Sequence, residues 1–473
     1  MQAKTGGCLL LLLACGGFTV HAQNPTAELL KEILRVDNSN PPGNEGKLDD
    51  LLAAKLRPLG FEIDIIPTPQ PGKSHLIARL KGDGSARPIL LASHGDTVGV
   101  EREKWTVDPF AAVEKDGYLY GRGAIDFKGG IAVFGRAVMD LARNRVPLRR
   151  DVIWIVEADE ESAPYNTSWL AERSWDKMDC EFALNEGGWI IKRPDGRVRY
   201  VSISTADKAS ISLLLTAHGT STHSSMPRPD NAIFTLANAL AKLSRYETKP
   251  TLTPSTKQFF STLGQTSEPP MSKYFSELVN SNDPAVVAKA ASEISKNTLL
   301  HAIMRNTIAP VLLNAGFRGN VIPGSAEATI NMRVIPGTKA DDVIAEIKNV
   351  IGDPNVSVAI APSAARPGAA AVRRTPTDAI RESSTDTALY RSLASTATAL
   401  WNAPVTPYLF QAGTDAIAWR SRGIPVYGVY PYPITDDDLS RMHGNDERVP
   451  VKSLEEGEKW IYTTLVQVAR SAK

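Results

Sequence analysis

The sequence predicts an α/β fold: a mixed, mostly parallel sheet covered by helices, with an inserted α+β domain. Three observations carry this reading. Pro88-Ile89-Leu90-Leu91-Ala92 and Val152-Ile153-Trp154-Ile155-Val156 are apolar at every position, which marks strands buried on both faces. A helical stretch at residues 129–143 lies between them, and strands alternating with helices build a sheet covered on both sides. Finally, 473 residues exceed one ordinary core, and a second set of strand and helix signals begins near residue 202.

In chain order, residues 26–59 read as helical, with Leu29, Leu30, Ile33 and Leu34 at three- and four-residue steps. Strand-like runs follow at residues 61–66 and 76–80, before the two buried strands. Past residue 202, a strand at 209–216 and a helix at 231–243 precede a long polar and helical stretch at 247–304. A strand at 326–334, a helix at 339–351 and a strand at 356–360 then complete a second β-α-β set. The Pro-, Ala- and Arg-rich residues 362–376 read as a hinge. A helix at 385–401 and a strand at 425–430 close the chain. The expected division is a leader at 1–22 and a main domain over 23–206 and 366–473, interrupted by an insert over 207–365. No internal repeat is evident.

Composition narrows the function classes. Charges nearly cancel at net +1, with Lys and Arg scattered, so neither a nucleic-acid footprint nor a polybasic membrane patch is present. Lys4, the apolar run Cys8-Leu9-Leu10-Leu11-Leu12-Leu13-Ala14 and Val20-His21-Ala22 form an export signal cleaved before Gln23. Leu12-Leu13-Ala14-Cys15 offers a rival reading, in which Cys15 carries a lipid anchor. Either way the protein is expected to be exported, periplasmic or secreted. Only Cys8, Cys15 and Cys180 occur, so there is no disulfide framework, and a metal would rely on His and carboxylates.

Five fragments bring such groups beside small or turn-forming residues: Ser93-His94-Gly95-Asp96-Thr97, Gly123-Ala124-Ile125-Asp126, Asp159-Glu160-Glu161, Asn185-Glu186-Gly187-Gly188 and Met442-His443-Gly444. His94 and Asp96 are two apart, so both point to one side of an extended segment. Asp126 lies in a Gly-flanked turn, where a carboxylate can bridge two cations. Three adjacent acids at 159–161 repel one another unless cations neutralise them. Each fragment has an ordinary alternative: a strand-end turn, a helix N-cap, a solvated acidic loop or a structural histidine. Together they supply what a two-metal hydrolase needs, namely ligands for two ions, a shared carboxylate and a base.

In order and context these fragments resemble the co-catalytic zinc metallopeptidases that include aminoacylase, bacterial glutamate carboxypeptidase, the yeast vacuolar carboxypeptidase and succinyl-diaminopimelate desuccinylase. Trp105-Thr106-Val107-Asp108-Pro109-Phe110 and Leu119-Tyr120-Gly121-Arg122-Gly123 add to the likeness. The resemblance implies a zinc-peptidase-like catalytic domain and two Zn2+ per subunit, with Co2+ or Mn2+ as substitutes. His94 and Glu186 would hold one ion, Glu161 and His443 the other, with Asp126 between them. Glu160 would be the general base and Asp96 would orient His94. The insert would act as a lid and dimerisation domain. His223, in a Ser-Thr-His-Ser-Ser context, would reach the scissile carbonyl of a partner subunit. Asn320 and Arg333 would grip the substrate, and Gly413 and Thr414 would receive its carboxylate. Phe127 stands where many relatives carry an acidic or polar residue, which makes the bridging turn drier.

The expectation is an exported zinc-dependent exopeptidase, of carboxypeptidase or dipeptidase type, acting as a homodimer without nucleic acid or a membrane span. The alternative within hydrolases is an N-acyl-amino-acid deacylase. A solute-binding protein on an inactive hydrolase fold is disfavoured because every ligand position is filled.

Overall fold

The computed structural model describes residues 24–161, 164–362 and 381–471. The expected leader with Cys8 and Cys15, and all of the expected hinge except Pro362, lie outside the described residues.

The main body is a ten-stranded mixed sheet. Its centre is parallel: Val152–Glu157, Ile89–His94, Phe182–Asn185 and Val426–Gly428 lie side by side and run the same way. Every residue of these four strands is buried, including His94, Glu157 and Asn185 at their carboxyl ends. Antiparallel strands flank this centre, with Glu62–Pro67 and Ser74–Leu80 at one side. Helices Pro25–Leu34, Lys128–Arg143, Ala388–Trp401 and Val451–Ala469 cover one face and share its core with Phe134, Leu393 and Trp460. Helix Thr167–Met178 packs on the other face with Ile153, Ile155 and Trp419.

The expected helix over 26–59 is two helices, Pro25–Leu34 and Glu45–Leu56. Pro41, Pro42 and Gly43 break it, since the first two lack a helix donor and Gly43 has a φ of 77°. The break carries Asn40 into the interior, where it is 7% exposed.

A separate four-stranded antiparallel sheet orders Thr307–Ala315, Ser325–Val334, Ala209–His218 and Val356–Ile360. Helices Ala232–Leu243 and Ala340–Ile351 pack on it around Leu213, Leu215, Ile330 and Ile347. The helices between Pro254 and Ile303 do not share this core. Phe259, Phe260, Leu263, Phe275 and Ile294 pack instead with the main sheet's core. By packing, then, the span expected as one insert divides in two, and the polar stretch at 247–304 belongs to the main body.

Candidate metal centre

Three of the five fragments sit at the carboxyl ends of neighbouring parallel strands. His94 ends Ile89–His94, Glu160 and Glu161 follow Val152–Glu157, and Glu186 follows Phe182–Asn185. This is where ligands collect in open α/β sheets. Asp126 lies in the turn before helix Lys128–Arg143, and its peptide bond to Phe127 is cis. His443 follows the short helix Asp436–Leu439 with a left-handed φ of 60°.

The five ligand candidates converge. His94 Nε2 lies 3.0 Å from Asp126 Oδ1 and 3.6 Å from Glu186 Oε2. His443 Nε2 lies 2.9 Å from Asp126 Oδ2 and 3.0 Å from Glu161 Oε1. Two donor sets result, His94–Asp126–Glu186 and Asp126–Glu161–His443, with Asp126 common to both. Glu160 stands with His94 and Glu161 as a further carboxylate.

Buried partners aim these groups. His94 Nδ1 faces the main-chain carbonyl of Asp96 at 3.0 Å, closer than the Asp96 carboxylate at 3.5 Å. The carboxylate instead accepts from the backbone N–H groups of Glu160 and Glu161, both at 3.2 Å, so Asp96 positions the acidic loop as well as the imidazole. Asn40 donates to Asp96 and to Asp159, each at 2.8 Å. Asp159 is turned away from the two donor sets by a φ of 63° and paired with buried Lys73. The repulsion expected among three adjacent acids is thus met partly by an ammonium ion. On the far side, Glu447 accepts from the backbone N–H groups of Gly123, Ile125 and Asp126 and from Arg122 Nη1.

Sequence reasoning missed Asn40, Lys73, Glu447 and Tyr430, whose hydroxyl donates to Glu186 Oε2 at 2.7 Å. A signal existed for Tyr430, which lies just past the carboxyl end of Val426–Gly428, beside the strand that delivers Glu186.

The electrostatics fit cations. Burial and then the Glu186 carboxylate push the Glu160 carboxyl well above its ordinary range. Burial, followed by Asp126, pushes Glu186 up to about 7. Hydrogen bonds from His443 and His94 outweigh burial at Asp126 and hold it below the carboxylate range. Asp126 and then Glu161 raise His443 to about 10. Among the described residues no Lys or Arg pairs with Asp126, Glu161 or Glu186, whose ion-pair partners are the two imidazoles. Two imidazoles and three carboxylates of this kind are a donor set for metal ions.

The remaining predicted residues fall into two groups. Arg333 and the Gly413 loop meet: a Cβ on Gly413 would lie 3.7 Å from Arg333 Nη1. Thr414 is buried, and its hydroxyl donates to Asp207 at 2.6 Å. His223 and Asn320 also adjoin, since Ser224 N donates to Asn320 O at 3.0 Å in a small ribbon pairing His223 with Val321. His223 is exposed and belongs to neither donor set.

A two-ion donor set at the carboxyl ends of a helix-covered parallel sheet defines a metal-dependent hydrolase. Residues 90–467 match Peptidase family M20/M25/M40, and the chain belongs to that family. It is 31% identical over 387 residues to a probable carboxypeptidase S-like 2 of Dictyostelium discoideum, covering 80% of this chain and 71% of that protein. It is 30% identical over 402 residues to the human N-fatty-acyl-amino acid synthase/hydrolase PM20D1, covering 82% and 76%. In fold it is similar to an M20 family metallo-carboxypeptidase from Sulfolobus solfataricus, with a TM-score of 0.65, 16% identity, and 94% and 99% of the two chains covered.

Proposed function

We propose that this hydrolase is an exported, zinc-dependent exopeptidase of carboxypeptidase type, cleaving an amide next to a free carboxylate. The observation that carries the reading is the pair of imidazoles on the two oxygens of Asp126, with Glu160 beside them and outside both three-residue sets. His94, Asp126 and Glu186 would hold one ion, and Asp126, Glu161 and His443 the other. When bound, such a pair of ions polarises a carbonyl and makes water acidic.

The chain's own groups do the rest. Glu160 takes the proton of the attacking water as the C–O bond forms, and returns it to the amine nitrogen as the C–N bond breaks. Burial raises its proton affinity above that of an ordinary carboxylate. Arg333 and the Gly413 backbone receive the substrate carboxylate, the guanidinium offering two parallel donors. His223 supplies a donor to the developing oxyanion.

His223 is exposed, which suits a role completed by a second copy. The edge strand Thr307–Ala315 supports this, because Leu312 and Leu313 are 67% and 68% exposed, with Phe317 nearby at 76%. An edge strand with an apolar surface is a template for another strand, so a homodimer through this edge follows. Export rests on Lys4, the apolar run from Cys8 to Ala14, and Val20-His21-Ala22. N-terminal sequencing of the processed protein should begin at Gln23. No helix among the described residues is long and apolar enough to cross a membrane.

A second reading is hydrolysis of N-acyl amino acids, favoured by the 30% identity to the human N-fatty-acyl-amino acid synthase/hydrolase. Both substrate classes share the amide beside a carboxylate. Turnover of a panel of dipeptides and N-acyl amino acids, with and without chelator, decides between them. In the same assay Glu160→Gln should keep its bound ions and lose on the order of 10²–10⁴-fold in kcat. Near-native activity of that variant would overturn the assignment.

A further inference from the structure

We propose that Tyr430 is a positioning residue for Glu186, and that its hydroxyl sets the affinity of the His94–Glu186 ion site apart from that of the Glu161–His443 site. Tyr430 Oη donates to Glu186 Oε2 at 2.7 Å and approaches Asp126 Oδ1 at 3.2 Å. Oε2 is the oxygen that faces His94 Nε2, so the hydroxyl grips the atom on the ion-facing side of the carboxylate. Glu161 Oε1 has no such hydroxyl donor among the described residues, and its neighbour is His443 Nε2.

The tyrosine is built to stay in place. Its ring is 1% exposed and stacks on Trp189 at 4.2 Å with 4° between planes. Phe127 meets it edge-on at 5.4 Å and stacks on His94 at 5.9 Å, so one ring braces both the imidazole and the tyrosine. The backbones are laced as well: Val429 N donates to Asn185 O, Gly188 N to Gly428 O, and Tyr430 N to Gly188 O, at 2.8, 3.0 and 2.6 Å. Glycine is needed at 188, where a Cβ would lie 2.2 Å from Ser202 O and 2.8 Å from Gly428 O. Partners that orient a ligand commonly change ion affinity by ~10–100-fold when removed.

This inference rests on the two-ion reading, and one titration separates their failures. Apo protein, prepared with chelator, is titrated with Zn2+ against a competing chelator, and with Co2+ followed by its visible absorption. Tyr430→Phe should weaken one of the two ions by ~10–100-fold and change the Co2+ spectrum, leaving the other within about threefold. Tyr427→Phe is the control, since it removes a hydroxyl bonded to Thr387 Oγ1 and Ser384 O, away from the ions. It should bind both ions as the wild type does. Two ions held by Tyr430→Phe with wild-type affinities and spectrum, or an equal weakening of both, would overturn the role of Tyr430. A wild-type protein that takes up fewer than two ions would instead overturn the two-ion reading itself.

Discussion

Asp126 presents its two carboxylate oxygens to two different imidazoles, Oδ1 3.0 Å from His94 Nε2 and Oδ2 2.9 Å from His443 Nε2. A carboxylate shared in this way links the two donor sets, so neither is complete without it. Asp126→Asn replaces one oxygen with an amide nitrogen that has no lone pair for a cation. After dialysis the variant should retain at most one ion per chain, measured by elemental analysis, where the wild type retains two. Two retained ions would show that Asp126 does not bridge.

The turn that carries Asp126 is held from outside by Glu447, which is fully buried and meets Arg122, itself 2% exposed. Removing one member of a buried pair leaves the other charge without compensation, at a cost of ~3–5 kcal/mol. Glu447→Ala also frees three backbone N–H groups, those of Gly123, Ile125 and Asp126. Denaturant unfolding of the metal-free protein should show that loss. Glu447→Gln should lose less, because its amide oxygen can still accept from the backbone.

How much of this was legible in the sequence depends on distance along the chain. The central strands Ile89–His94 and Val152–Glu157 were, because burial on both faces leaves a continuous apolar run, while the four-residue strand Phe182–Asn185 was not. The positions of His94, Glu160 and Glu161 followed, since strand ends are where ligands gather, whereas Glu186 stood out only by its place before Gly187-Gly188 and by the family resemblance. Asn40 and Lys73 were not legible. Each is an ordinary residue in its local context, and Lys73 reaches Asp159 only because the antiparallel strand Ser74–Leu80 lies beside Val152–Glu157. The break at Pro41-Pro42-Gly43 was passed over in the helical reading of residues 26–59, and nothing local shows that it delivers Asn40 to two buried carboxylates. The helices from Pro254 to Ile303 are amphipathic, and periodicity gives a buried face without naming the core it joins.

Away from the ions, Glu458 offers a pH test. Burial and then the Asp140 carboxylate raise it to about 7, with Arg136 opposing. The folded chain therefore holds a proton there that the unfolded chain releases near pH ~4.5. Its contribution to stability is full below that pH and is lost as pH rises through about 7. Glu458→Gln should remove this slope. Melting scans with chelator present, from acidic to mildly alkaline pH, should show the variant gaining on the wild type toward pH ~8. A difference that is constant across the range would contradict the assignment.

The strongest test of the dimer reading uses two inactive chains. Glu160 stands beside His94 and Glu161 in its own protomer, whereas exposed His223 is grouped with none of these residues. If His223 serves the partner's centre, a heterodimer of His223→Ala and Glu160→Gln contains one centre with both groups intact. The His223→Ala protomer supplies Glu160, and the Glu160→Gln protomer supplies His223. Random pairing on co-expression makes half the dimers mixed, each with one working centre of two, so activity should recover to about a quarter of wild type. A histidine acting within its own chain gives no recovery, because every centre then lacks one group. Leu312→Glu placed on the exposed edge strand should abolish the recovery by separating the protomers, since it sets like charges across the paired edges. Sedimentation of that variant should show monomers, and a dimer persisting with full complementation would place the interface elsewhere.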